Sequence, residues 1–329
     1  MHAIRLHAFG PAENLTYERT DDPEPAPGQV RIKVAAAGVH VIDTTFRSGD
    51  PKIPYDLPEL PTIPGREVAG TIDKLGAGVD GAWLGRRVVA HLGLVPGGYA
   101  ELAVVAVEKL HQLPDALPTD HAIAMIGTGR TTMGILRFAE LTADDLVIVT
   151  AAAGGIGSLL VQYAKNAGAT VVGLAGGPAK VAHVRELGAD IALDYTAAGW
   201  TERARAAIGD RAATVVFDAV GGELGLGAVD LLGPGGHHIV YGWAADGPLE
   251  LTDEDLKRRG ITSQQVVGKP MLDRIGGMAG MRKLEEESMA QAVAGKLVPT
   301  VHRFPLAQAA AAHHAIETRG TMGKVVLIP

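Results

Sequence analysis

The segment from Leu146 to Ser158 constrains the fold of this chain more than any other part of the sequence. It reads Leu-Val-Ile-Val-Thr-Ala-Ala-Ala-Gly-Gly-Ile-Gly-Ser. The opening apolar run predicts a strand that is buried on both faces. Residues from Ser158 to Ala167 then place apolar side chains at helical spacing, and Gly168 follows as a stop signal. A strand, a glycine turn and a helix therefore follow one another directly.

The glycine turn matches the spacing Gly-x-Gly-x-x-Gly, with Ala152 in the first position and Gly154 and Gly157 in the other two. Gly154 leaves space for a pyrophosphate to approach the backbone, and Gly157 lets the helix pack close to the strand. Free amides and the positive end of the helix dipole would then face the phosphates. Such glycines also occur in purely structural turns, but the flanking strand and helix favour a dinucleotide site. We assign the phosphates to Gly154, Gly155, Ile156 and Gly157.

Two kinds of pattern divide the chain. From about Thr142 onward, strands and helices alternate, which is typical of a doubly wound parallel sheet in an α/β fold. Further strands of this part are predicted at residues 170–175, 191–193, 214–217, 238–241 and 263–267. The earlier part has short strands separated by turns, with strands predicted at residues 29–34, 67–72 and 87–90.

Residues 324–328 are predicted to form a strand that returns to the first, β-rich domain. The dinucleotide domain would then be an insertion, with residues 124–267 forming it and residues 1–123 and 268–329 forming the β-rich domain. A proline-rich stretch in the first part is incompatible with a helix or a central strand, so it is predicted to form a loop at the lip of a cleft. Its prolines are Pro51, Pro54, Pro58, Pro61 and Pro64.

The end of the second predicted strand of the dinucleotide domain indicates which cofactor is bound. An NAD site normally offers a carboxylate there to the ribose hydroxyls, but the sequence from Ala175 to Lys180 contains no acid. Lys180 lies one turn into the next helix, where it could pair with a 2′-phosphate. It could equally be a solvated surface lysine. The missing carboxylate favours NADPH over NADH.

Composition excludes several classes of function. Thirty basic and thirty-seven acidic residues give a net charge of −7, and aromatic residues make up only 4%, so nucleic acid is a poor partner. The chain has no cysteine, which excludes disulfides, thiolate nucleophiles and cysteine-based zinc sites. It contains neither a run of about 18 apolar residues nor a signal-peptide pattern. We expect a soluble, cytoplasmic protein with a small-molecule substrate and no membrane contact.

Several motifs together resemble the medium-chain dehydrogenase/reductase superfamily. Within it, the chain is most similar to the zinc-independent quinone oxidoreductases, the group that includes zeta-crystallin. The similarity extends over nearly the whole chain. The motifs are Pro27-Gly28-Gln29-Val30, Ala36-Ala37-Gly38-Val39-His40-Val41-Ile42-Asp43, Pro64-Gly65-Arg66-Glu67-Val68-Ala69-Gly70, Gly97-Gly98-Tyr99-Ala100-Glu101, Ala152-Ala153-Gly154-Gly155-Ile156-Gly157 and Leu187-Gly188-Ala189-Asp190.

The resemblance implies a GroES-like catalytic domain and a Rossmann domain, with NADPH in the cleft between them. It places the 2′-phosphate against Gly176, Lys180, Tyr195 and Arg319. Thr131 would lie near the nicotinamide end. The adenine and nicotinamide sides would be lined by Val220, Tyr241, Gly242, Val267 and Gly268, although each of these could instead serve packing alone. Members of the group are commonly dimers or tetramers, so a homo-oligomer is expected.

The resemblance also bears on zinc. Zinc-bearing relatives have Cys at the position of His40, a His-Glu pair at Arg66-Glu67 and a further Cys. This chain keeps Glu67 but has Arg66 in place of the histidine ligand, and a catalytic zinc needs about three protein ligands. We therefore predict no metal, and expect Glu67 to be ion-paired or hydrogen-bonded inside the protein. Hydride transfer is then feasible to acceptors that are already electron-poor, such as a quinone or the β-carbon of an enone.

His40 is the departure from the group with the most chemical meaning, because many relatives have Asn there, facing the nicotinamide and the substrate carbonyl. A histidine could donate a hydrogen bond to developing negative charge or act as a general acid. Alternatively, it fills the same space and bonds to the backbone. Phe46, where relatives often have Tyr, makes that wall more apolar, while Tyr55 on the proline-rich lip could point inward. Asp43 is expected to cap a short turn or helix.

The leading hypothesis is an NADPH-dependent, zinc-free quinone or enone reductase. An enoyl or alkenal reductase of a biosynthetic pathway is one alternative, and an NADPH-binding protein with little turnover is another. Two further features are assigned no function. His313-His314 lacks metal-ligand spacing, and Glu285-Glu286-Glu287 is expected to be an exposed, solvated helix face.

Overall fold

We describe the protein from a computed structural model, which covers residues 1–50, 56–93, 96–245, 247 and 249–329. Pro51, Pro54 and Tyr55 of the proline-rich stretch lie outside the described residues. The chain divides into two compact units. Unit 1 comprises Met1–Thr128 and Pro299–Pro329, and unit 2 comprises Gly129–Val298. This division assigns residues 268–298 to unit 2, whereas the sequence boundaries had grouped them with the β-rich domain.

The first part of unit 1 is rich in strands, as its short apolar runs separated by turns predict. Its elements are β1 (His2–Leu6), β2 (Leu15–Arg19), β3 (Gln29–Val39), α1 (Val41–Ser48), β4 (Glu67–Leu75), β5 (Arg87–His91), β6 (Leu102–Ala106), β7 (Leu110–Gln112) and α2 (Thr119–Ile123). A π-helical turn, Ala124–Gly129, follows α2. The predicted strands at 29–34, 67–72 and 87–90 are confirmed as parts of β3, β4 and β5.

Unit 2 alternates helices and strands. Its elements are α3 (Arg130–Ile135), β8 (Leu146–Val149), α4 (Gly155–Asn166), β9 (Thr170–Ala175), α5 (Pro178–Glu186), β10 (Ile191–Asp194), α6 (Trp200–Ile208), β11 (Ala213–Asp218), α7 (Gly222–Val229), β12 (Leu232–Val240), α8 (Asp253–Arg259), β13 (Thr262–Gln265), α9 (Lys269–Ile275) and α10 (Met278–Val293).

The sheet of unit 2 has six parallel strands in the order β10-β9-β8-β11-β12-β13. Every residue of β8 is buried, because helices cover both faces of such a sheet. The strand order reverses direction between β8 and β11, which is the switch point of a doubly wound Rossmann sheet. The predicted α/β fold class is confirmed.

The chain returns to unit 1 through β14 (Val301–Pro305), α11 (Ala309–Glu317) and β15 (Lys324–Ile328). The sheet order is β14-β15-β3-β4-β5-β7, and β6 also pairs with β3. β15 runs antiparallel to β3, with Val326 opposite Gly38. The predicted return of residues 324–328 to the first domain is therefore confirmed.

Residues 268–298 belong to unit 2 because α9 and α10 pack on α3. Arg130 Nη1 of α3 lies 2.9 Å from Glu285 Oε1 of α10, and the Met271 side chain of α9 fills the space beside Gly134. The expectation that Glu285 is solvated is wrong, since its side chain is only 13% exposed and pairs with Arg130. No helix in the described part of the chain is both long and apolar enough to cross a bilayer.

Candidate functional site

The residues predicted to bind the cofactor in unit 2 follow the carboxyl ends of its parallel strands. Because parallel strands all end at the same edge, these residues share one rim of the sheet. Gly154–Gly157 follow β8, Gly176 follows β9, Tyr195 follows β10, Val220 follows β11, Tyr241 and Gly242 follow β12, and Val267 and Gly268 follow β13.

The turn after β8 has the geometry of a phosphate-binding loop. Helix α4 begins at Gly155, with Gly154 as its N-cap, so the amides of Gly155, Ile156 and Gly157 have no acceptor within the helix. A Cβ on Gly157 would lie 2.3 Å from the Ala151 oxygen, which makes glycine necessary at this position. The residues present therefore fit the pyrophosphate of a dinucleotide.

The turn after β11 is held by Asp218, which the sequence analysis did not single out. Its Oδ1 accepts hydrogen bonds from Thr150 Oγ1 and from the Val220 amide, each at 2.9 Å. Its Oδ2 lies 3.3 Å from Nε2 of the buried His238. Burial alone would raise the pKa of Asp218, but the hydrogen bonds from His238 and the backbone outweigh it and lower the pKa. The buried carboxylate thereby fixes the backbone of the turn that carries Val220.

The rim near β9 and β10 brings together Gly176 and Tyr195, as predicted for a common site. A Cβ on Gly176 would lie 3.0 Å from Tyr195 Oη. Asp194 at the end of β10 accepts a hydrogen bond of 3.0 Å from the Gly177 amide. The sequence pattern points only to the end of β9, so it does not predict this carboxylate on the neighbouring strand. Lys180 is half-buried on α5.

Two other predicted residues do not follow the strands of this sheet. Thr131 is half-buried on α3, within unit 2. Arg319 belongs to unit 1, where it is exposed after α11 with a left-handed φ of 57°. Its assignment to the 2′-phosphate stays a prediction.

His40 in unit 1 belongs to a buried charge cluster. Its Nε2 lies 2.7 Å from Glu67 Oε1 and 2.9 Å from Lys324 Nζ. Lys324 Nζ lies 2.8 Å from Glu67 Oε2. The Lys324–Glu67 contact is an ion pair by distance, and so is the His40–Glu67 contact when His40 is protonated, although neither Glu67 oxygen has the angular geometry of a hydrogen bond. The expectation that Glu67 is ion-paired inside the protein is confirmed, and the sequence analysis missed Lys324.

Two glycines make room for the Glu67 carboxylate, which is fully buried. A Cβ on Gly38 would lie 2.1 Å from Glu67 Oε2, and one on Gly127 would lie 1.7 Å from Oε1. Burial alone would raise the pKa of Glu67, but attraction to His40 and Lys324 outweighs it, so this pKa lies well below its usual range. Burial lowers the pKa of Lys324, and attraction to Glu67 offsets part of that effect.

His91 completes a set of three possible metal ligands with His40 and Glu67, whose ligand atoms all lie within 4.8 Å of one another. However, the Lys324 ammonium already contacts both His40 and Glu67. A divalent cation would have to share those ligands with a positive charge less than 3 Å from each of them. The residues present therefore do not fit a resident zinc ion.

A second buried network lies beside this cluster. Asp43 Oδ2 accepts hydrogen bonds from the His40 amide at 2.8 Å and from Tyr99 Oη at 3.1 Å. Its Oδ1 lies 3.1 Å from Arg66 Nε. Asp43 thus caps α1, as the sequence predicted. Tyr99 Oη also lies 3.2 Å from Nε2 of the buried His313.

Comparison with known proteins agrees with this architecture. Residues 26–115 match the family described as the alcohol dehydrogenase GroES-like domain. Residues 155–272 match the family described as zinc-binding dehydrogenase. The two matches cover β3 to β7 of unit 1 and most of unit 2.

Full-length relatives narrow the class. A 2-haloacrylate reductase of Burkholderia sp is 32% identical over 336 residues, which span 99% of this chain and 98% of that protein. A quinone oxidoreductase of Pseudomonas aeruginosa is 33% identical over 332 residues and 99% of each chain. The crystal structure of Escherichia coli quinone oxidoreductase complexed with NADPH is 28% identical and covers 100% of both chains with a TM-score of 0.85.

The fold and these relatives define a member of the medium-chain dehydrogenase/reductase superfamily. Within it, the chain belongs to the quinone oxidoreductase branch, as its motifs indicated, and it is an oxidoreductase of that type.

Proposed function

We propose that this protein is an NADPH-dependent reductase that acts without a metal ion on a quinone or an α,β-unsaturated carbonyl compound. The observation that carries the proposal is the rim of the unit 2 sheet, where a phosphate-binding turn and the other cofactor candidates follow successive parallel strands. NADPH supplies the hydride when it is bound. The NADPH-bound Escherichia coli relative supports this choice of cofactor.

The chain's own residues position and align the reactants. The amides of Gly155, Ile156 and Gly157 would hold the pyrophosphate. Asp218 fixes the turn of Val220 through the hydrogen bonds given above. Among the described residues, Lys324 already contacts the Glu67 and His40 groups that a Lewis-acid metal would need, so we propose an acceptor that is itself electron-poor.

His40 is the proposed source of a hydrogen bond or a proton for the reduced acceptor. Its side chain is 20% exposed, so it is not sealed inside the protein. Glu67 and Lys324 hold its Nε2 and thereby fix the orientation of the ring. If His40 has this role, His40→Ala lowers kcat or shifts its pH profile, whereas unchanged kinetics would reduce it to a packing residue.

The loss of NADPH absorbance with a panel of quinones, enones, alkenals and enoyl thioesters tests the proposal. Turnover with quinones or enones supports it. Turnover restricted to enoyl thioesters or alkenals would favour the biosynthetic alternative. NADPH binding without turnover of any acceptor in the panel would favour an NADPH-binding protein with little activity.

The assignment of the 2′-phosphate has a separate test. Lys180→Ala and Arg319→Ala, made singly, should each raise the KM for NADPH much more than the KM for NADH, because only NADPH carries the phosphate. Equal effects on both cofactors would contradict the assignment for that residue. The cytoplasmic, homo-oligomeric state expected from the sequence stays a prediction.

A further inference from the structure

A small cavity in unit 1 lies between α1 and the start of β4. It encloses about 110 Å³, and its apolar lining includes Leu6, Phe46 and Pro58. A cavity that holds benzene has about 150 Å³. The volume therefore accommodates an acyclic ligand of a few heavy atoms.

Arg66 brings a fixed guanidinium to this cavity. Its Nε lies 3.1 Å from Asp43 Oδ1, and its central carbon lies 5.7 Å from the centre of the Phe46 ring. Asp43 is itself held by the His40 amide and Tyr99 Oη. The Arg66 side chain is 12% exposed. The guanidinium is thus oriented by contacts that use only one edge of it.

The other edge of Arg66 is available to a ligand. In the described part of the chain, its two terminal nitrogens have no hydrogen-bond acceptor within the protein. Arg47, the other arginine in the lining, is 3% exposed and uses its terminal nitrogens on the Gly10 carbonyl and on Glu317. A planar guanidinium with two open donors matches the two oxygens of a carboxylate.

We propose that Arg66 makes this enzyme selective for small α,β-unsaturated carboxylates. The inference rests on the proposed reductase function and narrows its substrate class. A free carboxylate donates electron density to the double bond and opposes hydride addition. Pairing with Arg66 withdraws that density and stabilises the negative charge that builds up on the carboxyl oxygens.

The reaction balances without a further reagent. Hydride from bound NADPH would form a C–H bond at the β-carbon as the carbon–carbon π bond breaks, and a proton from water would add to the α-carbon. The products are the saturated carboxylate and NADP⁺. Arg66 remains bonded to the carboxylate throughout.

The test compares 2-chloroacrylate with its methyl ester, which has the same double bond but no charge. For the native enzyme, kcat/KM should favour the acid. Arg66→Gln should lower the acid-to-ester ratio of kcat/KM by about 10- to 100-fold, the range for a lost charge-assisted hydrogen bond. Arg66→Lys, which keeps the charge but not the fork, should give an intermediate ratio.

Two further variants control for charge and position. Asp56, exposed in the cavity lining, opposes an anion, so Asp56→Asn should raise the ratio two- to threefold. Arg86 is exposed and bonds to the Ala82 carbonyl, away from the cavity lining. Arg86→Gln makes the same charge change as Arg66→Gln and should leave the ratio as it is.

Failure of this inference is distinguishable from failure of the proposed function. Good turnover of quinones or of the ester with no preference for the acid would overturn the carboxylate selectivity and leave the reductase intact. An equal loss for acid and ester in Arg66→Gln would overturn it as well. If no acceptor is turned over, calorimetric binding of 2-chloropropionate to the NADP⁺-loaded protein decides. Binding that Arg66→Gln abolishes supports the site, and absence of binding to the native protein refutes it.

Discussion

At the scale of single residues, the Glu67 carboxylate and the Lys324 ammonium are the charges most costly to bury. Each is almost completely buried, and each depends on the other for its charge to be tolerated. Buried ion pairs contribute little over apolar replacements, but the loss of one partner leaves an uncompensated charge. The stability of unit 1 therefore depends on the pair as a unit.

This dependence gives a prediction for Lys324→Met. The substitution should lower the free energy of unfolding by about 3–5 kcal/mol, because it leaves the Glu67 carboxylate buried without its cation. The double variant Glu67→Gln with Lys324→Met should recover much of the loss. Urea denaturation of the native protein, Lys324→Met, Glu67→Gln and the double variant completes this double-mutant cycle. Additive effects would show that the pair is not energetically coupled.

Burial of His313 should make the stability of the protein depend on pH. Burial lowers its pKa from 6.5 to about 4, with Asp43 opposing and Arg47 reinforcing the effect. Since the unfolded chain binds this proton and the folded protein does not, stability should fall as the pH drops from about 6.5 towards 4. The full loss corresponds to about 3 kcal/mol.

Denaturation of the native protein and of His313→Gln between pH 7 and pH 5 measures this contribution. The variant should show a shallower decline, since it has no proton to take up on unfolding. Protonation of Glu67 does not contribute to the difference between the two pH profiles in this range. Its pKa is lowered, so the stability that it contributes is present above its ordinary pKa of 4.5 and is lost only below it. Identical pH profiles would contradict the assignment to His313.

Sequence reasoning at this scale succeeded where chemistry is local. It identified Asp43 as a cap, because a cap lies within a few residues of the helix start. It expected Glu67 to be paired but could not name Lys324, because the partner comes from β15, far along the chain. Arg66 was recognised only as a lost zinc ligand. Its open donor edge depends on Asp43 and Phe46, which only the fold brings against it.

At the scale of elements, the junction of β8 and α4 separates two roles of glycine. A Cβ on Gly157 would collide with backbone, at 2.3 Å from the Ala151 oxygen and 2.9 Å from the Ala152 Cα. A Cβ on Gly154 would approach the same oxygen only to 3.1 Å. Gly157 is needed for packing the helix on the strand, whereas Gly154 borders the space for the phosphates.

Alanine substitutions should separate these roles. Gly157→Ala should lower the melting temperature markedly, because backbone must move to admit the methyl group. Gly154→Ala should change the melting temperature less and should weaken NADPH binding by at least tenfold through obstruction of the phosphates. Thermal melts and fluorescence titrations with NADPH distinguish the two. The reverse pattern would contradict the assignment.

The element boundaries show where periodicity is informative. The buried apolar strands β8 and β9 begin at the predicted residues, because continuous apolar runs mark them. The predicted strand 238–241 is instead the end of β12, which begins at Leu232. Its first half contains the run Gly-Pro-Gly-Gly, which indicates a turn by sequence but lies within the strand.

At the scale of the whole molecule, motif order predicted more than composition did. The combination of a β-rich part, a strand–helix part and a returning strand is sufficient for the fold class. The boundary at residue 267 reflects the last predicted strand of the parallel sheet. Sequence alone does not show that α9 and α10 pack on α3, since their partners Arg130 and Gly134 lie more than 130 residues earlier.

The zinc content of the purified protein is a prediction about the whole molecule. Because Lys324 already neutralises Glu67, purified protein should contain far less than one zinc ion per chain by elemental analysis. Turnover with its best acceptor should survive prolonged treatment with a strong chelator. Stoichiometric zinc together with loss of activity on chelation would contradict the metal-free mechanism. The NADPH concentration should be saturating in both arms, so that cofactor loss does not imitate metal loss.

The position of β15 between β14 and β3 also has a consequence for biosynthesis. A ribosome translating this chain releases all of unit 2 before it supplies the strand that completes the sheet of unit 1. Lys324 is made 284 positions after His40, and until then the nascent chain holds Glu67 without its counter-ion and β3 without its neighbour β15. Unit 1 therefore begins to fold first but finishes last. Before β15 is synthesised, its incomplete sheet is the part of the nascent chain most in need of molecular chaperones.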